Sequence, residues 1–322
     1  MRRSAVVAAL LVSAYAEVND TNPDAVDFNH IEAFSSFAYH FFPMVRSAER
    51  IILLDVGAND GQWTADVLRG LSQTLGGDSA KGARKAAMLA GRNVALARTE
   101  VHLFEPQPRF ELQLNNVIAG WPNAHVHHAA VWKDDKKNLT FFLSRSSTSA
   151  SLMPVVARHA GVPRVGAMNL TVRTINLAAF LAERLPMAPD PIKALVGFKL
   201  DVEAAEFELL PHLIVSGVLC RMHIIVIEWH LNALPPLKRL AGLALRLSIA
   251  SQLKTGCEAS VGSAPIVIHE GAPINNWEQI VPGLWDVALF HNGTPVPGEL
   301  PSRRVRNWEG ARLWVAKGGE AG

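Results

Sequence analysis

Four acids stand where apolar runs stop: Asp55 after Ile51–Leu54, Glu105 after Leu103 and Phe104, Asp201 after Phe198-Lys199-Leu200, and Glu228 after Ile224–Ile227. His230 follows two residues beyond the last. A carboxylate accepts hydrogen bonds from hydroxyls and attracts cations, and an imidazole can take up a proton near neutrality. The first acid opens a turn, Asp55-Val-Gly57-Ala-Asn59-Asp-Gly61. Its glycines let the backbone approach a ligand closely, and asparagine tolerates positive φ better than most residues. The spacing Asp-x-Gly-x-Asn-x-Gly is neither Gly-x-Gly-x-x-Gly nor a P-loop, the two motifs that cradle phosphates. It suits a nucleoside ligand without a pyrophosphate, of which S-adenosylmethionine is the commonest. The same turn also serves as a plain strand-to-helix connection, and a single strand-end acid also serves as a helix cap.

These positions require strands that finish at one edge of a sheet and helices that carry the chain back. Apolar runs predict strands at about 50–56, 100–104, 124–132, 138–143, 170–175, 196–200 and 223–227. Helical patterning predicts helices at about 62–75, 107–119, 177–184, 203–215 and 235–253. This alternation argues for a doubly wound sheet, whose strand ends line a ligand crevice. Segments 264–269 and 286–291 read as an antiparallel closing pair. The aromatic cluster Phe34, Phe37, Tyr39, Phe41 and Phe42 marks a helical cap within 17–49, packed on the sheet edge or over the cofactor site. An Ala- and Lys/Arg-rich insertion spans 76–98, read as part helix and part mobile loop.

The chain has 322 residues, 49% hydrophobic and 19% charged, enough for a full core of ordinary globular composition. A net charge of +2 gives no strong pull toward nucleic acid. Arg2 and Arg3, the apolar stretch Ala5–Val12 and Ala14-Tyr15-Ala16 form a secretory signal pattern over 1–16, with an organellar transit peptide as the alternative. That apolar stretch is too short to span a bilayer, and no other run is long enough. Asn-x-Ser/Thr triplets at Asn19, Asn138, Asn169 and Asn292 agree with a secretory route, Golgi lumen or secreted. Cys220 and Cys257 could pair in an oxidising compartment, or Cys220 could be a buried free thiol. The organisation expected is a signal at 1–16, the cap at 17–49, a catalytic domain at 50–292 and a tail at 293–322.

Several stretches carry a family pattern: Leu-Leu-Asp-Val-Gly-Ala-Asn-Asp-Gly at 53–61, Leu-Phe-Glu-Pro-Gln-Pro at 103–108 and His-Ala-Ala-Val at 128–131. They continue with Val-Arg-Thr-Ile-Asn at 172–176, Phe-Lys-Leu-Asp-Val-Glu-Ala-Ala-Glu at 198–206 and Ile-Glu-Trp-His at 227–230. Together they resemble the FkbM-type family of S-adenosylmethionine-dependent methyltransferases. The resemblance implies an α/β fold, a doubly wound, mostly parallel Rossmann-like sheet of the class I methyltransferase type, here with the antiparallel closing strand. It implies S-adenosylmethionine as cofactor, with Asp55, Gly57, Asn59, Gly61, Glu105, Ala129, Ala130 and Asp201 as its site. Glu105 would take the ribose hydroxyls, Ala129 and Ala130 would leave room beside the adenine, and Asp201 would lie near the methyl group. His230 is the candidate base, and Asp201, Glu203 and Glu228 would orient the acceptor hydroxyl, hold His230 or bind a divalent ion. No metal-ligand set stands out in the spacing. His230 could also be a packing histidine. The implied acceptor is a sugar, another small hydroxylated molecule or a glycan. The chain departs from the family in having Ala204 where glycine is usual and Asn176 where aspartate is common. A methyl at Ala204 is expected to narrow the substrate's approach. A scaffold that kept the fold without catalysis is the alternative function, and a nicotinamide-dependent dehydrogenase is disfavoured by the missing Gly-x-Gly-x-x-Gly.

Overall fold

A computed structural model describes residues 28–76, 84–135, 138–143, 152, 169–234, 236–270 and the pairs 290–291 and 294–295. The signal pattern, Asn19, Asn292, residues 77–83 of the expected insertion and the expected tail apart from 294–295 lie outside the described residues.

The central sheet has six parallel strands. In chain order they are β1 (Arg50–Val56), β2 (Thr99–Phe104), β3 (Ala124–His127), β8 (Ala194–Leu200), β9 (Ile224–Glu228) and β10 (Ile266–Glu270). Their spatial order is β10-β9-β8-β1-β2-β3. The order runs outward in both directions from the β1–β8 pair, the reversal point where α/β sheets open a crevice. Strand periodicity divides the core. Ile52, Leu54, Val56, Val196, Phe198, Leu200, Ile225 and Ile227 face one side, and Ile51, Leu53, Leu195, Ile224 and Val226 the other.

Helices cover both faces. On the first lie α5 (Leu177–Arg184), α6 (Glu206–Val215) and α7 (Pro236–Val261), through Leu181, Leu209, Leu213, Ile249 and Leu253. The second takes α1 (Phe28–Val45), α2 (Gln62–Gly76), α3 (Arg84–Arg98) and α4 (Glu111–Val117), through Phe37, Phe41, Val67, Leu71, Ala95 and Leu114. Near the crevice, β4 (Ala130–Trp132) pairs with β7 (Thr174–Asn176), and β5 (Leu139–Phe142) with β6 (Asn169–Val172). Disulfide-bonded Cys220 and Cys257 tie the turn after α6 to α7.

Several expectations need correction. The last strand of the sheet is parallel to its neighbour, not antiparallel. The helix α7 carries the chain back along the sheet before β10 begins, and such a crossover returns it in the same direction. Of 286–291, only Phe290–His291 is described, and it pairs antiparallel with Thr294–Pro295. That pair belongs to a second compact unit beginning at Trp277. The helix of 17–49 packs over β8, β9 and the edge strand β10 and contributes no residue to the crevice lining, its Phe34, Phe37 and Phe41 recurring at helical spacing and buried against the sheet. Tyr39, counted with them in the sequence, is exposed. The expected strand 124–132 is broken between His127 and Ala130, with its two halves in different sheets. The helix expected from Glu203 begins at Glu206.

Candidate active site

The crevice opens where the ends of β1, β2 and β8 are spliced together. Gly57 and Ala58 donate from their backbone nitrogens to the Phe104 carbonyl at 3.0 and 3.1 Å, and Asp201 N–H donates to the Val56 carbonyl at 2.9 Å. Gly57 has φ +83°, and a β-carbon on it would stand 1.6 Å from the Asp201 carbonyl oxygen. No side chain fits that approach, so the loops after β1 and β8 can meet only over a glycine. Asn59, at φ 50°, continues the turn. The lining of the resulting hollow includes Gly57, Asn59, Glu105, Ala129, Ala130, Asp201 and Glu203.

Glu105 is buried at the floor. Its Oε2 accepts the Asn59 N–H at 3.0 Å, and its Oε1 accepts the Gln107 N–H at 2.9 Å. Burial outweighs these hydrogen bonds and pushes its carboxyl up to about 7. Two residues expected at the cofactor stand apart from the lining. Asp55 is fully buried, and its Oδ2 accepts the Thr64 hydroxyl at 2.6 Å. It anchors α2 to the strand end. Gly61 faces Leu114 and Val117, where a β-carbon would lie 3.0 and 3.1 Å from their side chains. It serves the packing of α2 against α4.

At the mouth, where Asp201 and Glu203 belong to the lining and Glu228 and His230 stand just outside it, four carboxylates surround one imidazole. The His230 Nε2 lies 3.5 Å from Glu203 Oε2, 3.5 Å from Glu228 Oε1 and 3.8 Å from Asp201 Oδ1. On the ring's other side, Glu206 Oε1 lies 3.3 Å from Nδ1 and accepts the His230 backbone N–H at 2.8 Å. Lys199 Nζ donates to Asp201 Oδ2 at 2.8 Å. Adjacent strands produce this convergence: β8 delivers Lys199 and Asp201, and its neighbour β9 delivers Glu228 and His230. Glu203 and Ala204 have φ of 52° and 73°, a tight left-handed turn that delays α6 and swings Glu203 into the crevice lining.

The cluster's proton affinities are displaced. Burial pushes Glu203 up to about 8, and burial with the neighbouring Asp201 pushes Glu228 up to about 7. Burial opposes ionisation of Asp201, yet Lys199 and His230 outweigh it and hold this carboxyl below its ordinary value. Burial likewise opposes charge on His230 and Lys199, but the surrounding carboxylates prevail and raise both.

The structure therefore brings Asp201, Glu203, Glu228 and His230 together. Lys199 and Glu206, both buried, were not singled out by the sequence, although each lies inside the most family-like stretch. Ala204 is fully buried and absent from the crevice lining. Its consequence is a left-handed backbone that glycine would adopt more readily.

A model of the methyltransferase FkbM domain matches residues 55–242, a span that contains these crevice-lining and cluster residues. No curated protein and no solved structure matches the chain significantly. Since the matched span is more than half of the chain, and the six-stranded sheet carries its polar residues at the expected edge, the chain belongs to the FkbM methyltransferase family.

Proposed function

We propose that this protein transfers the methyl group of S-adenosylmethionine to a hydroxyl oxygen of a sugar or another small hydroxylated acceptor. The observation that carries this reading is the pairing of a crevice at the strand ends, with Glu105 in its lining, with a proton-handling cluster at its mouth. The crevice residues fit the cofactor. Each Glu105 oxygen receives one backbone N–H, and a carboxylate oxygen has room for a second donor, as the two hydroxyls of a ribose would require. Ala129 and Ala130 keep the wall beside them thin.

The bound cofactor would supply an electrophilic methyl on a sulfonium, an excellent leaving group. The chain's own residues then have three tasks: orient the hydroxyl in line, remove its proton and exclude water. Asp201 is fixed by Lys199 and lines the crevice, which suits it to orient the hydroxyl. The acceptor's proton passes to the Glu203–Glu228–His230 cluster as the new oxygen–carbon bond forms. His230, sequestered among carboxylates, works as part of that cluster and not as an isolated neutral imidazole.

The secretory route belongs to the same proposal. Asn138 and Asn169 are exposed beside the β5–β6 pair, and the two cysteines are within disulfide reach of one another, with α-carbons 5.0 Å apart.

Titration calorimetry on the chain lacking residues 1–16 tests the cofactor. Heat of binding is expected with S-adenosylmethionine and none with NAD. Binding of NAD alone would overturn the assignment. A methyl-transfer screen over sugars and small polyols tests the acceptor class, and cofactor binding without turnover on any hydroxylated acceptor would favour the scaffold function.

A further inference from the structure

We infer that the mouth of the crevice is a binding site for one divalent cation of the Mg²⁺/Mn²⁺ class, ligated by Asp201, Glu203 and the Nε2 of His230. One ligand atom from each lies within 4.8 Å of the other two. The separations from Nε2 to the carboxylate oxygens, 3.5 and 3.8 Å, are too long for N–H···O hydrogen bonds. They are close to ligand–ligand spacings. Ligands about 2.1 Å from an octahedral ion stand about 3.0 Å apart on an edge and about 4.2 Å apart across it. A contraction or expansion of a few tenths of an ångström closes a shell around such an ion.

A second observation comes from behind the ring. Glu206 is fully buried, lies 3.3 Å from Nδ1, and its other oxygen, Oε2, has no hydrogen-bond partner among the described residues. Metal-ligating histidines ordinarily donate their second ring N–H to a carboxylate, which fixes the tautomer and turns the other nitrogen's lone pair toward the ion. Glu206 occupies that place. The charge balance points the same way: four carboxylates converge on the ring, and Lys199, bonded to Asp201, is the cation set against them. Asp201, Glu203 and His230 are about one-fifth exposed, so an ion can reach them from the crevice while Glu206 stays sealed. The two carboxylates suit Mn²⁺ and Mg²⁺, and the single imidazole favours Mn²⁺, the softer of the two.

If the methyl-transfer reading holds, the ion's open positions would face the acceptor and select neighbouring hydroxyls that can bind it together, a vicinal diol. The cation site itself does not depend on that reading.

The test uses the full chain stripped with a chelator and titrated with Mn²⁺ alone. One Mn²⁺ is expected per chain, with imidazole-nitrogen coupling in the pulsed EPR spectrum of the bound ion. That coupling should vanish in His230→Gln, and Asp201→Asn and Glu203→Gln should each weaken binding at least tenfold. Glu206→Gln should weaken it by about 10–100-fold. The wild-type spectrum decides even if a variant fails to fold. Absence of Mn²⁺ binding at millimolar concentration, or bound Mn²⁺ without imidazole coupling, overturns the site. A parallel S-adenosylmethionine titration keeps the two readings apart: Mn²⁺ bound without cofactor binding sinks the methyl-transfer reading and leaves the cation site standing. Cofactor bound without Mn²⁺ does the reverse.

Discussion

Glu105 has two demands placed on it. It ties the β1 turn to the β2 end through Asn59 and Gln107, and under the proposed function it also receives the ribose. Glu105→Ala is expected to weaken S-adenosylmethionine binding by about 1.5–3 kcal/mol, the range for hydrogen bonds to a charged acceptor. The pH dependence follows from its carboxyl lying near 7, above the ordinary 4.5. A raised carboxyl stabilises the fold fully below the unfolded value and loses that contribution as pH rises through about 7. Ionisation is also what makes both oxygens acceptors. Cofactor affinity should therefore rise between pH 6 and 8, while Glu105→Gln, which cannot ionise, flattens the curve. Calorimetry at three pH values reads this directly, and an unchanged slope in the variant would remove Glu105 from the ribose. At Gly57 the demand is purely geometric. Gly57→Ala combines left-handed strain with a collision against the Asp201 carbonyl, and a stability loss of about 2–5 kcal/mol is expected on urea denaturation.

At the scale of elements, the seat of α1 depends on missing side chains. A β-carbon at Gly70 of α2 would lie 2.2 Å from the Phe42 ring, and one at Gly197 of β8 would lie 3.0 Å from Phe41. Gly70→Ala sets two effects against each other. Alanine gains about 1 kcal/mol of helix propensity, but overpacking costs about 1–3 kcal/mol. The collision is with a buried aromatic ring, so overpacking should win and the variant should be less stable by up to about 2 kcal/mol. Trp63, whose ring lies 5.1 Å from Phe37, gives a fluorescence reporter, and a variant as stable as the parent would show that α1 is loosely seated. The Cys220–Cys257 link closes a separation of 37 residues. Reduction is expected to lower stability by about 2–4 kcal/mol, compared by melting with and without reductant. Two titratable thiols in the native, unreduced protein would contradict the link.

For the whole molecule, the proposed route makes one further prediction. Asn138 and Asn169 are both exposed, so neither requires unfolding to be modified. Material from a secretory host should begin near Glu17 and lose mass on enzymatic deglycosylation. Mass spectrometry of the intact chain reads both, and an unprocessed, sugar-free product would reject that route. The described residues contain no helix long and apolar enough to cross a membrane.

The sequence by itself determined the strands and the edge where function collects. Apolar runs such as Ile51–Leu54 and Ile224–Ile227 can be stable only inside a sheet covered on both faces, and the acids that end them must then stand at one rim. The turn at Gly57–Gly61 was legible for the same local reason, since its residue types answer a demand on φ. Strand order was not local. That β8 and β9 lie side by side, bringing Asp201 to His230, depends on how the crossover helices pack. The same holds for the direction of β10, reversed from expectation because α7 completes a crossover. Burial also separated residues that look equivalent in the chain. Asp55 and Glu105 both end apolar strands, yet one is sealed against Thr64 and the other lines the crevice. Glu206 reads as an ordinary first-turn acid of a helix. Only when α6 packs against the end of β9 does that carboxylate come to lie behind His230, because the distance between them is set by the packing of layers and not by their separation of 24 positions along the chain.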